Sequence, residues 1–385
     1  MFLQSARKTI ASFDYLLFGV VCLLLAIGIT FIYGASVRSG EYGQFTRPRF
    51  AELQLRWTVI AVGVFFVILV PRYTRLRSVA YAFYVLVVVL LVITLFVGRG
   101  PAASPVKRWI EIKIGSYKFA DFQPSELMQV ALVVALAKFL MFRRNPGLGA
   151  IAVVFLITLV PMALVLKQPD LGSAILFAPL PFVMLIAAGV GLRPLMTLLA
   201  AGVSSIPFAW EFLMAPYQQI RFLAWLDPYN DRYQQFEGWQ YIHSRIAVGC
   251  GGLFGRGLGQ GTQTSLNYLS ARHTDFIFSV ILEEFGFVGG VILVGLYVVL
   301  IFCGLGIASR TREPFGRLVV VGIVSLLATQ VFVNMGMNIG LMPITGLTLP
   351  FISYGGSSLL ASFIAVGIMM NVAVHPVMVL SNESF

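Results

Sequence analysis

The stretch "HTDFIFSVILEEFGFVGGVILVGLYVVLIFCGLGIASR" (273–310) sets the terms for the whole chain, because it joins a membrane-length apolar run to three carboxylates. As one helix the run 276–308 would be about 50 Å long, against roughly 30 Å of hydrocarbon in a bilayer. With Arg310 anchoring the inner end, about twenty residues fill the lipid and reach back to near Gly289. Glu283 and Glu284 then sit at or just above the outer boundary, and Asp275 about 12 Å higher. At about 100° per residue Glu284 points opposite to Asp275 and Glu283 about 80° from it, so the three form no single cluster. A carboxylate near hydrocarbon is costly and marks either a capping role or a functional one. Asp275, at the head of the helix, fits both.

Working outward, the chain of 385 residues is 58% apolar and only 11% charged, with 32 phenylalanines. Repeated apolar runs near twenty residues define an all-α, multi-pass membrane protein. Ten spans fit: 15–36, 53–71, 78–98, 125–142, 149–167, 171–191, 194–214, 276–308, 317–340 and 355–375. The first is too long for the apolar core of a signal peptide and is read as an uncleaved span. The chain reads as one domain, 1–385, with a long extracytoplasmic loop at about 215–275 between the seventh and eighth spans. An even number of spans puts both termini on one side. Placing them in the cytoplasm puts Arg7, Lys8, Arg72, Arg75, Arg77, Arg143, Arg144, Arg193, Arg310, Arg312 and Arg317 in short inner loops, which is what sets topology. The net charge of +11 is accounted for in this way, and no basic run with interleaved aromatics points to nucleic acid. Three cysteines and three scattered histidines supply neither a disulfide framework nor a histidine metal site.

The loop at 215–275 far exceeds an ordinary connection. Its aromatic content argues for order, 240–248 has helical texture, and "GCGGLFGRGLGQGTQ" (249–263) suits close approach to a ligand or a bend back toward the membrane. "GLMPITGLTLPFISYGGSS" (340–358) is uncharged and broken by Pro343, Gly346, Pro350 and Gly355–Gly356. It reads as a re-entrant segment, which must be buried in protein or line a cavity.

Polar residues gather on the outer side. Glu126 opens the fourth span after Pro124 and Ser125, and Asp170 in "LKQPDLGSA" lies at the head of the sixth. Helix capping is the plain alternative for both. Gln330, Asn334 and Asn338 recur every four residues as one stripe, a pattern that often glues helices together. Lys107, Arg108, Arg221 and Arg245 supply cations on the same side, either snorkelling or holding phosphate. A transporter would place its charges near mid-membrane on broken helices. Here the acids crowd one boundary, and Pro179 and Pro181 break the sixth span with no charge nearby, which favours an enzyme acting on a lipid-linked substrate.

Several long motifs then stand in order: "KRWIEI" (107–112), "FQPSE" (122–126), "KQPDLGS" (167–173), "YQQIRFLAWLDP" (217–228), "GWQYIHSRIAVGCGGLFGRGLGQGTQ" (238–263), "RHTDFIFSVILEEFG" (272–286) and "LPFISYGGSS" (349–358). With them the chain, from about residue 50 to 375, resembles the SEDS family (shape, elongation, division and sporulation proteins). Within the family "ARHTDFIF" (271–278) is similar to the elongation branch more than to the division branch. The resemblance implies a peptidoglycan glycosyltransferase that polymerises lipid II, an undecaprenyl-pyrophosphate-linked disaccharide peptide, at the outer face of the cytoplasmic membrane during cell elongation. It further implies a divalent cation, Mg2+, no organic cofactor, and a class B penicillin-binding protein, a transpeptidase, as partner, with membrane lipids around both.

The motif acid maps onto Asp275 as the catalytic residue, and the family's cavity residues onto Arg108, Glu126 and Asp170. The same motifs offer Tyr217, Gln218, Arg221, Gln240, Ser244, Arg245, Ser353 and Gly355 as substrate-binding candidates, while no metal ligands are assigned. One departure stands out: the family often has lysine three residues after the motif glutamate, and here that position is Gln129, so Glu126 lacks that cation and its role stays open. A lipid II flippase, the division branch with the same polymerase chemistry, and a scaffold for the transpeptidase remain as rivals. Gly286, Gly289 and Gly290 offer a small-residue surface for the partner on the eighth and ninth spans.

Overall fold

The computed structural model describes residues 12–37, 49–100, 107–114, 117–212, 214–235, 237–266, 268–269 and 271–376. The inner-loop cations Arg7 and Lys8 lie outside them. Apolar runs with few charges become helices, since a chain in lipid must satisfy its backbone groups internally. Three helices open the chain, α1 (Tyr15–Val37), α2 (Arg49–Leu69) and α3 (Thr74–Val97). A hairpin of β1 (Ile110–Ile114) and β2 (Tyr117–Phe122) follows, then α4 (Pro124–Leu140), α5 (Leu148–Lys167), α6 (Leu171–Phe177), α7 (Pro179–Ala187), α8 (Leu192–Ser204) and α9 (Ile206–Phe212). The long loop carries α10 (Pro216–Leu226), α11 (Glu237–Cys250) and α12 (Thr262–Ser265). It returns through α13 (Ile277–Arg310), α14 (Pro314–Asn338) and α15 (Gly356–Val374).

Among the described residues seven helices are long and apolar enough to cross a membrane: α1, α2, α3, α5, α13, α14 and α15. The other three expected spans are helical but shorter or interrupted. α4 has 17 residues, α6 gives way to α7 at Ala178 ahead of Pro179 and Pro181, and α8 gives way to α9 at Ser205 ahead of Pro207. Proline removes a backbone donor and crowds the preceding turn, so both breaks follow from sequence.

The all-α expectation needs one correction. Strands 110–114 and 117–122 pair antiparallel, Ile110 with Phe122 and Glu111 with Asp121. The cause is visible in "IEIKI", which alternates at the strand period. A neighbouring bridge between Arg99 and Trp109 and a 2.6 Å ion pair between Arg99 and Glu111 tie the hairpin to the end of α3. Arg108 is thereby fixed at its base.

The centre of the bundle is α4, α14 and α15. Of the most apolar windows, 72% of that in α14 and 83% of that in α15 is buried, against 17% in α2, so α14 and α15 are core helices and α2 has a broad outer face. α4 is buried at nearly every position from Pro124 to Ala137. A helix that is apolar all round and enclosed by others belongs in the middle of a bundle.

α13 is not the single rod that its hydropathy suggests. Gly286 has φ +66° and breaks the helix into two stretches. The glycine-rich loop docks onto this break by backbone hydrogen bonds: Arg256 N to Glu283 O (3.1 Å), Gly257 N to Glu284 O (2.9 Å), Phe287 N to Gly252 O (2.9 Å) and Val288 N to Leu253 O (3.1 Å). A Cβ on Gly251 would lie 1.9 Å from Leu282 O, and one on Gly255, at φ +79°, 2.1 Å from Glu284 O. The close approach expected of these glycines is therefore made to α13. The segment 341–355 has no regular secondary structure and is buried at Thr345, Leu347, Leu349, Phe351, Ile352 and Ser353, as a re-entrant segment requires.

Candidate functional site

Asp275 closes a turn ahead of α13, its N–H donating to Ala271 O at 3.0 Å. The helix is capped instead at Phe276 with no side-chain bond, so the capping reading of Asp275 falls away. Two members of the polar stripe on α14 hold it from below: Asn334 Nδ2 and Asn338 Nδ2 donate to its carbonyl at 3.2 and 3.0 Å. Asn338 also accepts from Ser279 N and Ser279 Oγ (3.1 and 2.6 Å), and Asn334 donates to Leu347 O. The stripe is thus interhelical glue that also sets the position of one carboxylate. Ser353 Oγ adds a bond to Thr274 O at 2.6 Å, and Gly346, at φ +74°, leaves room beside Asp275 Oδ2. Asp275 itself keeps partial access to solvent. Burial pushes its carboxyl up to about 6; Thr274, Arg221 and Arg108 oppose the rise and Asp170 adds to it.

Those opposing charges define the cluster. Arg108 reaches from the base of the hairpin to the turn between α5 and α6, donating to Gln168 O (3.2 Å) and Pro169 O and standing 3.8 Å from Asp170. Asp170 caps α6 and also receives Gln123 Nε2 (3.0 Å), Ser125 Oγ (3.4 Å) and Ser173 Oγ (2.8 Å). Arg221 on α10 lies over the Tyr217 ring at 6.0 Å, and Gln218 Nε2 donates to the Tyr217 hydroxyl at 3.0 Å. Arg108, Arg221 and Asp170 act electrostatically on both Asp275 and Tyr217, so four distant segments converge on one cleft.

The remaining candidates divide. Ser244 is 1% exposed and bonded to Ser279 Oγ (2.8 Å) and Asn338 O (2.7 Å), so it braces α11 against α13 and α14 and is closed to a substrate. Ser353 likewise serves the segment that carries Asp275. Arg245 donates to Gly340 O at 3.3 Å, at the foot of the re-entrant segment, and Gln240 is half-buried on α11. Gly355 is extended, and a Cβ there would meet only ordinary contacts; the glycine that packing requires is Gly356, pressed against the Trp57 indole. Glu126 is next to this network through Ser125 but faces a separate small cavity with Gln129, Gln330 and Ser362. Sequence reasoning gave no site role to Gln123, Ser173 and Thr274, whose only signal was their place inside charged motifs, or to Gly346, read only as a breaker of the uncharged segment 340–358.

Glu283 is a structural anchor. Its fully buried carboxylate accepts from Gln263 N (2.8 Å), Thr264 N (3.4 Å), Thr264 Oγ1 (3.0 Å) and Thr262 Oγ1 (3.2 Å), holding the first turn of α12. Of the small-residue surface expected for a partner, Gly286 is consumed by the helix break, whereas Gly290 lines an apolar groove of about 440 Å³ between α13, α14 and the glycine-rich loop, with Leu282, Val291, Val294, Met335 and Ile339.

Relatives share this whole frame. The chain is 38% identical over 380 residues to the stage V sporulation protein E of Bacillus subtilis (strain 168), covering 96% of this chain and 99% of the relative. It is 34% identical over 356 residues to the peptidoglycan glycosyltransferase MrdB of Escherichia coli (strain K12), covering 92% and 93%. Among solved structures, a chain from work on "structural coordination of polymerization and crosslinking by a peptidoglycan synthase complex" superposes with a TM-score of 0.79 at 32% identity, over 94% of this chain and 97% of that one. The rod shape determining protein RodA of Thermus thermophilus does so at 0.68 and 30%, over 94% and 96%. With residues 14–377 matching the family model for FtsW, RodA and SpoVE, described as cell cycle protein, this chain belongs to that family of multi-pass membrane proteins, the SEDS proteins.

Proposed function

We propose that this chain is a peptidoglycan glycosyltransferase that polymerises lipid II at the extracytoplasmic face of the membrane, with Asp275 as its general base. The observation that carries the reading is the convergence of Asp275, Asp170, Arg108, Arg221 and Tyr217 at one end of the bundle. In the reaction Asp275 takes the proton of the acceptor sugar 4-hydroxyl as that oxygen bonds to the anomeric carbon of the donor. The bond to pyrophosphate breaks at the same carbon on the opposite face, so configuration inverts and undecaprenyl pyrophosphate leaves with the electron pair. Arg108 and Arg221 stabilise the charge on the departing diphosphate. A carboxyl titrating at about 6 is well matched to this duty, being ionised at neutral pH yet basic enough to accept a proton.

The described residues form no protein cage for a magnesium ion: no three metal-ligating side chains gather, and Asp170 is already occupied by Gln123, Ser125, Ser173 and Arg108, so an ion here would be carried by the substrate's pyrophosphate and leave Asp275 free as base. Mg2+ commonly takes much of its shell from phosphate oxygens and water. Bound there it would neutralise charge on the pyrophosphate.

The ten-span reading belongs to the same proposal: α4, α6–α7 and α8–α9 complete the crossings as short or broken spans, with both termini inside. A class B penicillin-binding protein partner would lay its membrane helix in the groove beside Gly290. In the test, purified protein with that partner, lipid II and Mg2+ is resolved on a gel. Wild type gives glycan ladders, and Asp275→Asn loses roughly 10²–10⁴-fold in rate. Normal ladders from the variant remove Asp275 as base. Lipid II movement across liposomes by wild type without ladders would hand the function to transport.

A further inference from the structure

Behind the cleft, α4, α14 and α15 enclose a cavity of about 20 Å³, room for a single water or bare ion. Its polar lining consists of Glu126, Gln129, Gln330 and Ser362, which are 6%, 5%, 3% and 5% exposed. Apart from Glu126 Oε2, the side-chain oxygens of these four residues receive no donor among the described residues. Glu126 Oε2 accepts from Gln129 Nε2 at 3.2 Å, which uses the Gln129 amide as donor and leaves its oxygen unbonded among the described residues. Gln330 spends its nitrogen on Thr348 O (3.0 Å) and Thr348 Oγ1 (3.4 Å), and its oxygen receives no donor among the described residues. Ser362 Oγ makes no hydrogen bond among the described residues, although it is buried in the first half of α15.

Four acceptors thus meet around a space that holds one small particle. One of them is a carboxylate without a counter-ion: Glu126 is in none of the ion pairs Arg77–Glu313, Arg99–Glu111 and Arg108–Asp170, and no cation lies within ion-pair distance of it among the described residues. A water molecule brings two hydrogens to this set and no charge. An unpaired carboxylate inside a bundle is among the costliest arrangements available. A monovalent cation answers both deficits together, and a single carboxylate with three neutral oxygens matches one positive charge.

We propose that Glu126, Gln129, Gln330 and Ser362 form a binding site for one sodium ion. The site joins three helices and, through Gln330 and Thr348, the re-entrant segment whose Gly346 lies beside Asp275. Occupancy therefore tightens the frame on which the cleft is built. The site stands independently of the glycosyltransferase reading, because its primary test measures stability.

That test is the thermal unfolding midpoint of purified full-length protein in detergent, titrated with NaCl against choline chloride at constant ionic strength, with a parallel KCl series. The expected result is a saturable rise in the midpoint with Na+ for wild type, weaker with K+, which binds a set of only four oxygens less tightly than the smaller ion does. Glu126→Gln is expected to lose the response, and Ser362→Ala, a milder change, to need several-fold more Na+. Gln129→Lys, which places a tethered ammonium in the cavity, is expected to be insensitive to Na+ and as stable as sodium-loaded wild type. A wild-type midpoint that is the same in Na+, K+ and choline, as a cavity holding water or a protonated Glu126 would give, overturns the proposal. So does a Glu126→Gln protein that keeps the full sodium response.

Discussion

Asp275 is a carboxylate placed by its backbone and tuned by its surroundings. Its carbonyl is gripped by Asn334 and Asn338 while the side chain stays open to the cleft, so geometry and chemistry are handled by different atoms. The sign of its pH dependence follows. Desolvation favours the protonated form and lifts its titration to about 6, and the base is active only when ionised. Polymerisation rate is therefore expected to hold on a plateau above pH 7 and to fall about tenfold per unit below about 6. A pH–rate profile flat down to pH 4.5 would exclude this carboxylate as the base. Asn338 is fully buried and has each of its amide atoms engaged. Asn338→Leu leaves several buried groups unpaired and should cost roughly 3 kcal/mol, read as a lower unfolding midpoint together with reduced activity.

At the scale of elements, the glycine-rich loop and the break in α13 are one construction. Gly286 turns the helix with a positive φ, and the loop supplies the donors and acceptors that the break exposes. Glu283 then secures α12, so an acidic pair that sequence places at the lipid boundary is absorbed into protein. Gly255→Ala sets a Cβ into the Glu284 carbonyl at a backbone angle that L-residues avoid, and should destabilise by about 1–3 kcal/mol. Thermal unfolding in detergent measures this, and an unchanged midpoint would mean that the loop does not bear on α13. The glycine density was legible as a need for close approach. Its target was not, because a backbone partner has no side-chain signature.

For the whole molecule, orientation is the property that composition argues most directly. The exposed Arg144 lies between α4 and α5, and the exposed Asn230 lies in the long loop between α10 and α11. In a background where Cys22, Cys250 and Cys303 are replaced, Asn230→Cys should react with a membrane-impermeant maleimide in intact cells and Arg144→Cys only after permeabilisation. The reverse pattern would invert the topology and put the cleft in the cytoplasm. The apolar surfaces of α1, α2, α3 and α5 face outward and those of α4, α14 and α15 inward, a division that hydropathy cannot see because lipid and core are equally apolar.

Composition alone was enough to make this chain a multi-pass helical membrane protein, since transfer into hydrocarbon depends on what a segment contains more than on what it touches. Motif order likewise carried Asp275, Asp170, Arg108 and Arg221 into one reading before any coordinates. Only the folded chain could separate Ser244 and Ser353, which brace, from Arg221 and Tyr217, which face the cleft, or turn Glu126 toward its own cavity. The reason is that a side chain's role at a site is fixed by neighbours tens to hundreds of residues away, such as Ser279 and Asn338 for Ser244 and Thr274 for Ser353, and those neighbours leave no trace in local periodicity.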